Sequence, residues 1–196
     1  MKVNHLGERY NMRWGGVLFT ALCLIVMLLT GCKHGEQPPE EEETVLTVSS
    51  SAFQVKDKIP SKYSCQGEDV SPPLAWSEPP GGTQSLVLIL EDSDAPGGVF
   101  THWVLFNIPS DSRELPEAVP TQAQLPGGAL QGKNDFGGIG YRGPCPPPGR
   151  AHRYRFTLYA LDHSLDLEAG VSEKELLAVM RGHVLAQGQL TGTYQR

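Results

Sequence analysis

Apolar positions along most of this chain come in runs too short for helices, broken at close intervals by Gly/Pro turns. Val45 to Val55, Leu74 to Trp76, Ser85 to Leu90, His102 to Ile108 and Tyr154 to Leu161 are each apolar or alternating, and Leu190-Thr191-Gly192-Thr193-Tyr194 reads as a final strand. Side chains alternate faces along a strand, so such runs suit a β-sandwich, with Ser85 to Leu90 a buried member. One segment has a helical period. Ser172 and Glu175 form a capping box, Leu176, Val179, Met180, His183 and Val184 then line one face, and Gly188 stops the helix. His183 is read there as a packed edge residue and not as a ligand.

The N-terminal third of the pattern is different. Lys2, Arg9 and Arg13 precede the apolar run Val17 to Leu29, which ends in Leu29-Thr30-Gly31-Cys32. A spanning helix needs about 20 apolar residues, so this shorter run predicts a signal peptide, with a retained membrane helix as the alternative. The final four residues resemble the box at which bacterial lipoprotein signals are cleaved. The resemblance implies cleavage before Cys32, acylation of that cysteine, and, with Lys33 following it, an outer-membrane address in a two-membrane host. Residues 33–43, KHGEQPPEEEE, contain no apolar side chain and predict a disordered acidic tether. The expected organisation is therefore signal peptide 1–31, acylated cysteine and tether 32–43, and one domain over 44–196.

Charge narrows the function classes. The chain carries a formal net charge of −6, and removing the residues before 44 leaves 12 basic and 16 acidic side chains, a net of −4. Nucleic-acid binding is not expected, because phosphate-tracking surfaces carry a basic stripe. Locally the balance inverts: Lys133, Arg142, Arg150, Arg153 and Arg155 face only Asp135 between 133 and 155.

That basic stretch contains GYRGPCPPPGRAHRYRF at 140–156, a loop stiffened by four prolines and followed by alternating residues. Strand spacing puts His152 and Tyr154 on one face and the arginines on the other. A second segment, EDSDAPGGVFTHWVLFN at 91–107, sets Asp92 and Asp94 at the end of one apolar run and His102 at the start of the next. An ordinary strand after a turn would explain each alone. Together they predict an anion pocket, since imidazole, phenol and backbone donors suit phosphate oxygens and Asp92 can hold a histidine in its donor tautomer.

DSDAP at 92–96, THWVLFNIP at 101–109, NDFGGIGYRGPCPPPG at 134–149 and HRYRFTLYAL at 152–161 resemble, in order, motifs of the bacterial phosphatidylethanolamine-binding proteins, also called Raf kinase inhibitor proteins. YSCQGEDVSPPLAW at 63–76 and GHVLAQGQLTGTY at 182–194 extend the likeness over about residues 44–196. Ser93 stands where the family usually has proline. The resemblance implies a mainly β fold, a Greek-key sandwich of two antiparallel sheets with a few peripheral helices. It also implies a pocket for phosphate-like anions lined by Asp92, Asp94, His102, Tyr141, the backbone of Cys145 to Pro147, His152 and Tyr154.

Cys65 and Cys145 are the cysteines left after Cys23 and Cys32, and both lie in family segments bordering that pocket. Export favours a bridge between them; two reduced, buried thiols are the alternative. Neither lies in a paired ligand spacing, so no metal site and no cofactor is expected. The expected function is a lipid-anchored, non-enzymatic module in the bacterial cell envelope that binds a small anion or phospholipid headgroup. Relatives bind kinases and proteases, so a protease-inhibitor module acting on an envelope partner is an alternative. A hydrolase using Asp92, Asp94, His102 and His152 is another, although GxSxG and HExxH are missing.

Overall fold

A computed structural model describes residues 44–196; the expected signal peptide, Cys32 and the expected tether fall outside the described residues. The order is β1 (Thr44–Val45), β2 (Val48–Ser49), a 3-10 turn (Ser61–Tyr63), β3 (Leu74–Trp76), β4 (Ser85–Asp92), β5 (Phe100–Pro109), β6 (Glu114–Leu115), β7 (Leu130–Gln131), β8 (His152–Leu161), α1 (Glu173–Met180) and β9 (Val184–Tyr194). Two sheets form, one of six strands in the order β1-β9-β8-β4-β5-β7 and one of three in the order β2-β3-β6. Pairing is antiparallel except where β1 runs parallel to β9. The mainly β sandwich expected from the pattern is thus what forms, with β4 paired to the sequence-distant β8 in Greek-key manner.

The large sheet is covered on both faces, which is why β4 is buried almost throughout. Leu86, Leu88, Leu90, Trp103, Leu105, Tyr154, Phe156 and Leu158 point into the layer shared with the small sheet. Their neighbours Val87, Ile89, Val104 and Phe106 point the other way, against Leu176 and Met180 of α1. Burying a side chain of this size contributes about 1.5–3 kcal/mol relative to exposure, so both layers are substantial.

Two expectations are corrected. The capping box is present, with the Ser172 side chain accepting from the Glu175 N–H, but the helix ends at Met180. Gly182 at φ +82° and a bond from the His183 N–H to the Met180 carbonyl turn the chain, and the 11-residue β9 then pairs along β8. Strand pairing outweighs the continued helical period. His183 and Val184 therefore lie beyond the helix, and Val179 is 42% exposed. Gly188 sits inside β9, where a Cβ would meet the Leu46 carbonyl oxygen at 1.9 Å; it is a close-approach glycine and stops no helix. The long run Val45 to Val55 resolves into β1 and β2 because the chain leaves the large sheet after Leu46, whose N–H bonds the Gln187 carbonyl, and joins the small one at Val48.

Candidate functional site

At one end of the sandwich β4, β5 and β8 stop being apolar on their inward face. Asp92 is the last residue of β4, paired with Phe100 on one side and Tyr154 on the other. Continuing the alternation Leu86, Leu88, Leu90 puts its carboxylate on the inner face. His152 opens β8 on the face of Tyr154 and Phe156, as the spacing predicts. His102 arrives differently. Regular alternation would send it to the α1 side with Val104, but the register jumps from Leu90↔Trp103 to Glu91↔Thr101, leaving His102 as the extra residue of a β-bulge. The bulge re-aims it, and its ring meets Tyr154 edge-on at 5.3 Å between centroids.

These side chains open on a cavity of ≈ 190 Å³, lined by Asp92, Ala95, Pro96, Phe100, His102, Phe136, Cys145, Pro146, Pro147 and His152. The volume is below the roughly 300–1,000 Å³ of drug-sized sites and suits a headgroup-sized ligand. The polar residues are sealed at their inner ends: Asp92, His102 and His152 are 2–4% exposed.

Each histidine is held by one nitrogen. The His152 Nδ1–H donates to Asp92 Oδ2 at 2.7 Å, while Asp92 Oδ1 accepts the Asp94 N–H at 2.9 Å. The His102 Nδ1–H donates to the Arg142 carbonyl at 2.7 Å, and the Arg142 N–H returns a bond to the His102 carbonyl at 3.1 Å. A carbonyl can only accept, which fixes the His102 tautomer. Burial lowers the His102 pKa below its ordinary 6.5, opposed by the Arg142 carbonyl and then the Asp92 charge. In the neutral form its Nε2 is consequently an acceptor, and it becomes a donor only when a proton arrives. Among the described residues neither Nε2 has a hydrogen-bond partner, and neither is sealed from solvent.

The proline loop is braced from outside. Cys145 is bonded to Cys65, with Cα atoms 5.4 Å apart, and the Cys65 N–H donates to the Pro144 carbonyl at 3.2 Å. The bridged alternative for these cysteines is the one present. Gly143 passes so close to Tyr63 that a Cβ would lie 2.2 Å from its carbonyl oxygen, and its N–H donates to Asp69 Oδ1 at 2.7 Å.

The residues expected in the pocket do not all line it. Asp92, His102, Cys145, Pro147 and His152 do. Asp94 faces outward, where its carboxylate accepts from the Arg153 N–H, Nε and a terminal nitrogen at 2.8–2.9 Å; those bonds with Arg153 hold its pKa far below the carboxylate range. Tyr141 is a core residue: its hydroxyl donates to the Tyr63 carbonyl at 2.6 Å and its ring packs edge-on to Trp103. Tyr154 stands behind the lining. Burial and then the Asp92 charge push its phenol well up, so it stays protonated; Asp92 and the Cys145 backbone lie beside its buried hydroxyl, which among the described residues has no partner at hydrogen-bond geometry. Pro146 falls within the expected Cys145 to Pro147 stretch, whereas sequence reasoning missed Ala95, Pro96, Phe100 and Phe136. Phe136 lies in the NDFGG segment, is 47% exposed and contacts Phe100 edge-on at 4.8 Å; an aromatic directly before two glycines was the available signal.

A sandwich with a small, half-apolar, histidine-lined cavity at its edge defines a binding fold of the phosphatidylethanolamine-binding class, and the chain belongs to that family: the model described as phosphatidylethanolamine-binding protein matches residues 49–195. It is 54% identical over 151 residues to a UPF0098 protein of Methanothermobacter thermautotrophicus, covering 77% of this chain and 99% of the relative. It is 47% identical over 178 residues to UPF0098 protein PH1269 of Pyrococcus horikoshii, covering 89% and 87%. Among solved structures it resembles a phosphatidylethanolamine-binding protein homologue of Chlamydia trachomatis, at TM-score 0.71 and 42% identity over 78% of this chain and 98% of that one. Escherichia coli YbcL, described as a member of the mammalian family, matches at TM-score 0.73 and 31% identity, over 78% and 99%.

Proposed function

We propose that this protein binds a small phosphate-bearing anion, of the phospholipid-headgroup kind, in the cavity between Asp92, His102 and His152 and does not transform it. The observation that carries the reading is the pair of buried histidines, each fixed through Nδ1 and each with an unpartnered Nε2, in one headgroup-sized cavity. A protonated phosphate oxygen donates to a neutral Nε2; an ionised one accepts from a protonated Nε2. Phe100, Phe136 and the prolines give the group that carries the phosphate an apolar wall. Calorimetric titration with phosphate and with phosphoethanolamine tests this. His152→Ala removes one charge-assisted hydrogen bond of ~1.5–3 kcal/mol, which is roughly ten- to hundredfold in Kd. Equal affinity in a folded His152→Ala protein, or no binding by wild type at millimolar ligand, refutes it.

Turnover is the second reading, favoured by the Asp92–His152 pair, which has the form of an orienting carboxylate and a base. Release of inorganic phosphate from phosphoethanolamine, abolished by His152→Ala, would replace the binding reading. We extend the proposal to the chain as a whole: a lipid on Cys32 holds the domain at an envelope membrane, where an envelope protein is its partner. Cys32→Ser is expected to move the protein to the soluble fraction; membrane retention of that variant at precursor size refutes the anchor.

A further inference from the structure

The 162–183 excursion between β8 and β9 begins and ends in metal-ligating residues. Asp162 and His163 follow the last residue of β8, and His183 precedes the first of β9. One nitrogen from each histidine and one carboxylate oxygen lie within 4.8 Å of one another. Asp162 Oδ1 is 3.1 Å from His163 Nδ1 and 2.9 Å from His183 Nδ1, and the two rings lie 4.0 Å apart between centroids, tilted by 51°.

We propose that Asp162, His163 and His183 form a binding site for a borderline divalent transition cation, with zinc the best match. Zn–N and Zn–O bonds of about 2.0–2.2 Å in tetrahedral array place neighbouring ligand atoms about 3.3 Å apart. The two N···O separations already fall a few tenths of an ångström short of that edge. Two imidazoles and one carboxylate, with water completing four positions, are a donor set that suits zinc and excludes a calcium-type cage of six or more oxygens.

The backbones that carry these ligands are fixed before any ion arrives. The Asp162 N–H donates to the His183 carbonyl at 3.1 Å, tying the two ends of the excursion together. The His163 carbonyl accepts from Ser85 Oγ at 2.6 Å, and the His183 N–H donates to Met180 at 3.0 Å. The side chains remain adjustable, at 44%, 35% and 45% exposure for Asp162, His163 and His183. Without metal, one carboxylate oxygen serves two imidazole N–H groups. A cation at the convergence point takes the place of both Nδ1 protons, each neutral imidazole carrying its proton on Nε2 instead, and binds all three groups at once. The site lies at the far end of β8 from His152, a 10-residue strand away, which at ~3.3 Å per residue is roughly 30 Å. Its role is therefore to clamp the α1 excursion to the sheet and not to serve the cavity.

The test uses the full-length protein in detergent, dialysed against micromolar Zn²⁺ alone near pH 7.5, with bound metal quantified by mass spectrometry. Wild type is expected to hold one zinc more than His163→Gln/His183→Gln. A His102→Gln/His152→Gln protein keeps that equivalent, which separates this site from the cavity. Single His183→Gln is expected to weaken this zinc at least ~10-fold, the loss that even an outer-shell change can bring. Asp162→Asn, the mildest change in shape, provides the same reading if the histidine variants fold poorly. Equal zinc content in wild type and the 163/183 variant, or a loss of the equivalent in the 102/152 variant, overturns the assignment. So does a Co²⁺-loaded wild type whose visible spectrum matches that of the 163/183 variant.

Discussion

Removing the Cys65–Cys145 bridge is expected to cost more than any single change at the cavity. The bridge closes 80 residues, and the chain-entropy relation gives about 4.5 kcal/mol for a loop of that length. Losses on removing native bridges from small exported domains run at about 2–5 kcal/mol, so Cys65→Ala/Cys145→Ala should lie in that range. For a domain of this size each kcal/mol shifts Tm by about 2–4 °C, which predicts a fall of at least ~4 °C. Part of the loss is local to the site: Cys145 lines the cavity, and its neighbour Pro144 accepts the Cys65 N–H. Phosphate affinity measured well below Tm should therefore also weaken. The assay is thermal unfolding of wild type and the double variant after non-reducing peptide mapping has verified the bridge in wild type. A variant that melts within a degree of bridged wild type would refute the entropy argument, and two freely alkylatable thiols in folded, exported wild type would refute the bridge itself.

Burial holds the His102 pKa below 6.5, so the unfolded chain takes up this proton more readily; stability should fall as pH drops through the ordinary imidazole range. His102→Gln should flatten that part of the pH profile, and an unchanged acid limb in denaturant midpoints would contradict the assignment. The Tyr154 hydroxyl is buried and unpartnered, so Tyr154→Phe should leave stability equal or raised by up to about 1 kcal/mol; a loss of more than that in urea unfolding would mean the hydroxyl has a partner.

The sheet strands were legible because they are short apolar or alternating runs bounded by Gly/Pro turns, and the capping box because its two reciprocal hydrogen bonds are local. What failed was the end of the helix. Leu176, Val179, Met180, His183 and Val184 keep a helical period, but His183 lies in the turn and Val184 opens a strand whose partner, β8, lies more than twenty residues back. No local pattern reports a long-range pairing of that kind. The site divides the same way. Asp92 and His152 could be placed from alternation, whereas His102 reaches the inner face only through a bulge defined by the register of β4 against β5. Asp94, two residues from Asp92, would share its face in a continued strand; the chain turns after Asp92, and Arg153 captures the carboxylate outside.

The tertiary structure also changes the electrostatic argument for the cavity. Five basic residues against one acid between 133 and 155 suggest a standing positive field. In the fold Arg142 pairs with Asp69 at 3.0 Å, Arg150 and Arg153 with Asp94 at 3.4 and 2.8 Å, and Arg155 with Glu91 at 3.4 Å. The acids come from other segments, so four of the five basic side chains are paired near the surface, and three carboxylates offset most of their charge. What remains at the cavity is one carboxylate and two histidines that charge only by taking up a proton. A fully ionised phosphate would meet Asp92 as a like charge, whereas a phosphate that brings a proton, or binds together with one, meets a donor at Nε2 and a carboxylate that stabilises the imidazolium. If the proposed anion binds here, its affinity should be tied to proton uptake and rise as pH falls through the ordinary imidazole range, and a calorimetric Kd that stays flat across that range would contradict the coupling.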